Sequence, residues 1–207
     1  MRTPQRDYLL PYLRAIRTHG TRFPSLLWAS RASQAARFEA LVRLYDFRGR
    51  RVLDAGCGQA DLLVYLAGRD ALPAAYIGVE ALEEHLAIAR GRAGRGALLL
   101  RGDFVADPSV LHAGADVIVF CGSLNTLDRT AFRNVLCEAA EAAPAVLFNF
   151  LSSPHLAAAD WLTWHEPAEV VDLGRQLGCR TTSLGDYLVG DCTMLWMKDG
   201  ARVQQPH

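Results

Sequence analysis

The chain of 207 residues is 51% hydrophobic and 21% charged, which suits one domain able to bury a core without disulfides or metals and excludes collagen-like, disordered and peptide-scale proteins. Net charge is zero, yet residues 1–51 set eleven arginines against Asp7, Glu39 and Asp46, a balance of +8 offset by −8 in the remainder; the simpler reading is a solvated helical face, the other an arm that meets an anionic partner. The longest near-apolar run, 142–151, holds Pro144 and Asn149 and falls short of the roughly twenty residues of a bilayer-crossing helix, while Arg2, Arg6, Asp7, Arg14 and Arg17 break the apolar stretch a secretory signal needs, so a cytoplasmic protein with no membrane partner is expected.

In chain order, Tyr8, Leu9, Tyr12, Leu13 and Ile16 recur at helical spacing and predict a helix over 4–16. A second helix is predicted by Ala35, Phe38, Leu41, Val42 and Tyr45, with Ser33 as its cap. After Gly49 short apolar runs alternate with helical stretches, the pattern of β and α units in a parallel sheet. Strands are predicted at 51–55, 75–80, 97–101, 116–120, 146–150, 181–186 and 193–198. Helices are predicted at 60–67, 82–92, 128–142 and 167–177, the last opened by Pro167 and closed by Gly178. The final two strands leave no room for a helix and predict an antiparallel hairpin turning near Val189 and Gly190. The chain is read as one α/β domain, with a helical cap over 1–48 and a Rossmann-like core over 49–199.

The strongest local signal is Asp54-Ala55-Gly56-Cys57-Gly58-Gln59-Ala60-Asp61, a strand entering a glycine turn and then a helix. Glycines there let the backbone approach a ligand, and the helix N-terminus offers free amides. A dinucleotide pattern counted from Gly56 wants glycine or alanine at 61 and no acid beside two phosphates, so Asp61 fits it badly. Asp54 suits a ligand that carries an ammonium and a sulfonium. Glu80, followed by Ala81, ends the second strand about twenty residues on, where a carboxylate can accept two ribose hydroxyls. Asp103 and Phe104 follow the third strand; the acid suits either an adenine amino group or a loop turn, and the ring can cover the base.

With these residues in place, the chain resembles the class I S-adenosylmethionine-dependent methyltransferases over about residues 20–198. The family motif D-x-G-x-G-x-G is matched from Asp54, with Ala60 at the last glycine. The resemblance implies sheet order 3-2-1-4-5-7-6 with the seventh strand antiparallel, an N-terminal helical lid, and S-adenosylmethionine as cofactor. It places Cys57, Cys121 and Gly122 at the cofactor face, the two cysteines as packing thiols. Residues 28–38 also resemble the leading helix of small bacterial members, which implies that Trp28 covers the cofactor and that Arg37 either reaches its carboxylate or stays solvated.

The acceptor is expected beyond the carboxyl ends of the strands. Cys121-Gly122-Ser123-Leu124-Asn125 lacks the pattern of an Asn or Asp followed by two prolines and an aromatic with which methyltransferases grip exocyclic base amines or glutamine, so a small molecule is favoured over RNA, and Asn125 is expected to position it. His155 is read as a general base or a surface residue, and Tyr187 as a substrate contact. Trp161 and Trp164, three residues apart, suggest the buried stripe of a short helix. Asp186 and Asp191 are read as turn formers or as selectors of a cation. All five cysteines are expected to be reduced thiols, with no metal bound and a monomer or homodimer in solution. The alternatives carried are a non-catalytic binding or partner protein, an RNA methyltransferase and a nicotinamide-dependent oxidoreductase.

Overall fold

The computed structural model describes residues 7–200 apart from 95, 156 and 158. The start of the predicted first helix, with Arg2 and Arg6, lies outside them. From Asp7 the chain makes a single 3-10 turn and enters α1, Leu10–His19, whose Pro11 occupies a first-turn position where no amide partner is lost. Another 3-10 turn, Phe23–Leu26, leads to α2, Arg31–Leu44. The cap of α2 is Ser30 and not Ser33: the Ser33 amide donates to Ser30 Oγ and the Ser30 amide to Ser33 Oγ, both at 3.0 Å. Each serine satisfies the other's orphan donor, which starts the helix before the expected cap.

The strands are β1 Arg51–Ala55, β2 Ala75–Glu80, β3 Ala97–Arg101, β4 Val117–Phe120, β5 Ala145–Leu151, β6 Cys179–Leu184 and β7 Asp191–Lys198. They form one sheet in the order β3-β2-β1-β4-β5-β7-β6. Strands β1 to β5 pair in parallel, whereas β7 runs antiparallel to both β5 and β6. The hairpin strands lie about two residues from the predicted bounds. Asp191 pairs with Leu151 and Cys179 with Lys198, so register against β5 sets the limits, with no contribution from the turn sequence.

Helices α3 Asp61–Ala67, α4 Glu83–Arg92, α5 Arg129–Ala142 and α6 Pro167–Gln176 complete the two outer layers. Leu62, Leu66 and Ala89 pack on one face of the sheet with Val119 and Leu147. Phe132, Leu136, Val170 and Leu173 pack on the other with Phe148, Phe150 and Trp196. Burial on both faces explains why β4 and β5 are apolar nearly without interruption. Phe38, Leu41, Tyr45 and Phe47 belong to the first of these cores, so α2 is a layer of the domain, and only α1 and the segment up to Trp28 close over the strand ends. Between β3 and β4 the connection has only a 3-10 turn, Pro108–Leu111.

The segment 159–166 contains no helix. Trp164 bridges Leu151 and the His165 amide donates to the Leu151 carbonyl, which holds this stretch extended beside β5. The tryptophan stripe is therefore split: Trp164 lies under the Arg129 guanidinium, while Trp161 faces the cleft described below. Among the described residues, no helix is long and apolar enough to cross a membrane.

Candidate active site

A cleft enclosing about 1040 Å³, its mouth included, opens at the carboxyl ends of β1, β2 and β4. Asp54, Gly56, Cys57, Gly58, Glu80, Ala81, Asp103, Phe104, Cys121, Gly122, Trp28 and Arg37 all line it, and so does Asn125. His155 and Tyr187 do not.

The turn after β1 is built for close approach. Gly56 has φ +78, and a Cβ there would lie 2.5 Å from that of Ser123, so only glycine fits. The amides of Gly56 and Cys57 both donate to the Val79 carbonyl, at 2.8 and 3.0 Å. Ala60 takes the left-handed conformation just before α3. Glu80 ties this turn to β2: Gly58 N–H donates to Oε2 and Leu82 N–H to Oε1, both at 2.9 Å. Burial raises the Glu80 pKa, against which these amides pull it down.

Asp54 is 2% exposed and accepts a bond from the Tyr76 hydroxyl. Burial lifts its pKa to about 7; the Tyr76 bond opposes the rise and the charges of Glu80 and Asp61 add to it. Asp61, used in the sequence only to reject a dinucleotide, forms part of the cleft wall, where it accepts from Gln34 of α2 and pairs with Arg92 at 2.6 Å. Asp103 is a turn former, accepting from the amides of Val105 and Ala106, and it also lines the cleft, where it receives the Tyr8 hydroxyl at 2.9 and 3.0 Å. Phe104 meets Phe120 edge to face and keeps its side in the cleft.

Gly122, at φ +77, carries the ring of Trp28 so closely that a Cβ would meet it at 2.8 Å. Its amide donates to Asn149 Oδ1, and Asn149 Nδ2 donates to Cys121 Sγ. Over the Trp28 ring, at 5.1 Å, lies the Arg37 guanidinium.

Arg37 is not solvated. It is 9% exposed and donates through Nε and Nη2 to Asp191 Oδ2, which is itself buried. Tyr187 donates to the other oxygen of Asp191 and accepts from Thr193. Tyr187 and Asp191 are therefore structural partners of Arg37, in place of the substrate contact and turn former expected of them. Asp186 is exposed beside Arg43. His155 sits exposed in a turn, its amide on Ser153 Oγ, and provides no base to the cleft. The remaining N-terminal arginines divide from Arg37: Arg14, Arg17, Arg22, Arg31, Arg43 and Arg48 are exposed.

Several cleft residues had no distinctive sequence signal. Tyr8 and Tyr12 read only as a helix face. His85 donates from Nε2 to Ser25, whose hydroxyl is committed to the Arg22 carbonyl, and burial lowers its pKa. Four carboxylates thus line the cleft, Asp54, Asp61, Glu80 and Asp103, against one guanidinium already paired outside it. Such a donor set repels a pyrophosphate and suits a ligand bearing hydroxyls and positive charge.

The model of a family described as a methyltransferase domain matches residues 52–143. Solved structures extend the likeness to nearly the whole fold. One is the DhpI-SAM-HEP complex, at 14% identity and TM-score 0.70 over 94% of this chain and 99% of that one. A second is magnesium protoporphyrin IX methyltransferase (ChlM) from Synechocystis PCC 6803 with bound SAH, at 15% identity and TM-score 0.65 over 94% and 98%. A third is the methyltransferase domain of bacterial CtHen1, at 16% identity and TM-score 0.62 over 78% and 97%. No protein of curated function matches the sequence. The matched stretch contains the glycine turn, Glu80, Asp103 and Asn125, while Trp28 and Arg37, which also line the cleft, precede it.

Proposed function

We propose that the protein is an enzyme that transfers the methyl group of S-adenosylmethionine to a small-molecule acceptor. The observation that carries this reading is the single cleft in which the glycine turn meets Asp54, Glu80, Asp103 and Phe104. In it, Glu80 accepts the ribose hydroxyls, Asp103 the adenine amino group, and Phe104 covers the ring. Asp54, a buried carboxylate that accepts from the neutral hydroxyl of Tyr76, fits an ammonium. Ala81 and the backbone at Cys57 and Gly58 border the ribose, while Cys121, Gly122 and the Trp28–Arg37 pair border the methionine end. Residues 7–28 act as the cap of a single cytoplasmic domain, monomeric or homodimeric.

When bound, S-adenosylmethionine supplies a methyl already made electrophilic by its sulfonium. The chain's own task is to align the acceptor and keep water out. Trp28 on Gly122 and the Tyr8–Asp103 bond close the cap over the strand ends. His85, the imidazole in the cleft wall, is held by Ser25. Structural neighbours named as a magnesium protoporphyrin IX methyltransferase and as a DhpI-SAM complex support a small acceptor.

The test is calorimetric titration with S-adenosylmethionine, S-adenosylhomocysteine and NADH. Micromolar binding of the first two, absence of NADH binding, and loss in Glu80→Ala are expected. A folded protein that binds neither sulfur compound would refute the reading.

A further inference from the structure

We infer that the acceptor end of the cleft is built for a molecule that donates a hydrogen bond from nitrogen or oxygen, and that Asn125 receives it. The inference rests on the methyl-transfer reading and specifies its acceptor. Once the residues facing the cofactor are set aside, the cleft wall still holds Tyr12, Asn125, Thr126, Trp161 and Leu162. They come from α1 and from the loops after β4 and β5. Thr163 N–H donates to the Asn125 carbonyl at 2.8 Å, which joins the two loops into one wall, and Tyr12 is hydrogen-bonded to Thr126.

Asn125 is 8% exposed, and its Oδ1 is buried with no hydrogen-bond partner among the described residues. A folded chain ordinarily avoids that arrangement, because the oxygen has lost water and gained nothing. Asn149, one strand away, shows what a structural asparagine looks like in this protein. It is fully buried, and both ends of its amide are used, on Gly122 and Cys121. The other orphan atom, His165 Nε2, belongs to a ring stacked on Phe132 that does not line the cleft. Among the described residues, Asn125 alone combines an unmet side-chain acceptor with a place in the cleft wall.

The chemistry of that atom selects the ligand. An amide oxygen accepts and does not donate, so an amine or a hydroxyl satisfies it, whereas an ether, a thioether or a tertiary amine leaves it orphaned. Rejection of analogues that lack a matching donor is the strong form of selectivity, since the unmet group stays buried in their complexes. Trp161, Leu162 and the ring of Tyr12 supply apolar surface for a flat body beside the donor.

The test uses the full chain saturated with S-adenosylhomocysteine, and its binding is measured before any probe is added. If the product does not bind, the methyl-transfer reading has failed and the acceptor question does not arise in this form. Aniline, phenol and 2-naphthol are then compared by saturation-transfer NMR with N,N-dimethylaniline, anisole and 2-methoxynaphthalene, in which methyl replaces each donor hydrogen. The donor-bearing probes are expected to bind at least fivefold more tightly. Asn125→Leu should erase that preference and leave S-adenosylhomocysteine affinity within twofold. It should also raise the Tm of the ligand-free protein by about 2–4 °C, because an orphaned polar atom is removed. Trp161→Ala should weaken all six probes alike. Equal binding of donors and methylated partners by the wild-type protein, or binding of none of them, overturns the inference without recourse to any variant. A fall in Tm in Asn125→Leu would make the residue structural, and loss of product affinity would assign it to the cofactor; either result also overturns it.

Discussion

Asp54→Asn should stabilise the ligand-free protein at neutral and alkaline pH while weakening its grip on the cofactor. Asp54 is 2% exposed and Tyr76 donates to it. Burial raises its pKa from 3.8 to about 7, which at 1.36 kcal/mol per pH unit corresponds to about 4 kcal/mol against the ionised form. A carboxyl with a raised folded pKa holds its proton longer in the folded than in the unfolded chain. Its contribution is thus fully present below pH 3.8 and is lost as pH rises through about 7. The amide keeps the Tyr76 bond and never ionises, but its NH2 group needs a partner of its own, so roughly half the gain, about 2 kcal/mol, should survive. For a chain of this length that is a rise of about 4–8 °C in Tm at pH 8, changing sign to a fall of comparable size near pH 4, where Asp54 is neutral and only the cost of the unpartnered NH2 group remains. Calorimetric melting of both proteins from pH 4 to 9 measures the difference directly. A difference that does not change with pH, or a variant less stable at pH 8, would refute the electrostatic account. Saturating S-adenosylmethionine should raise the Tm of the wild-type protein more than that of the variant, because the charge opposite the ammonium is gone.

Arg37→Met should cost about 3–5 kcal/mol, because it leaves Asp191 ionised and buried without its partner; chemical denaturation checks this, and a loss under 1 kcal/mol would mean the pair contributes little. His165 is 5% exposed and burial lowers its pKa to about 4. Since the unfolded chain takes up the proton near pH 6.5, stability should fall by up to about 3 kcal/mol as pH drops from 6.5 to 4. His165→Phe, which keeps the stack on Phe132, should remove that dependence in acid melts. Gly122→Ala forces a Cβ to within 2.8 Å of the Trp28 ring at a φ of +77. It should lower stability by about 1–3 kcal/mol and reduce cofactor affinity more than tenfold in titration, with near-normal affinity counting against Trp28 as the cover.

The first three strands were legible to the residue, because β1 and β2 are short buried apolar runs ending at a glycine turn or an acid, and β3, though largely exposed at the sheet edge, is an apolar run that ends at Arg101, set between Gly96 and Gly102. Much of the cleft wall was legible for a related reason. Asp54 with its glycines, Glu80 at the end of β2, and Asp103 with Phe104 each occupy a few consecutive positions after a strand, and the fold brings all strand ends to one edge. Where a pattern was symmetrical, sequence did not decide: Ser30 and Ser33 are both competent caps, and only the path of the chain from Trp28 selects the first. The spacing of Trp161 and Trp164 suggested a helix, but backbone pairing with Leu151 overrode it.

Local order therefore determined the parallel sheet, its closing hairpin and the residues that line the cleft at the strand ends, since each depends on neighbours within a turn or a strand. Tertiary structure alone decided the partners that lie far apart in the chain. Arg37 finds Asp191 across 154 residues and Tyr8 finds Asp103 across 95. Tyr187, read as a substrate contact, is consumed by that same buried acid. An orphaned Asn125 oxygen is likewise invisible in sequence, because lacking a hydrogen-bond partner is a property of every surrounding residue at once. Spacing records which groups are near along the chain, while burial and charge compensation depend on which are near in space.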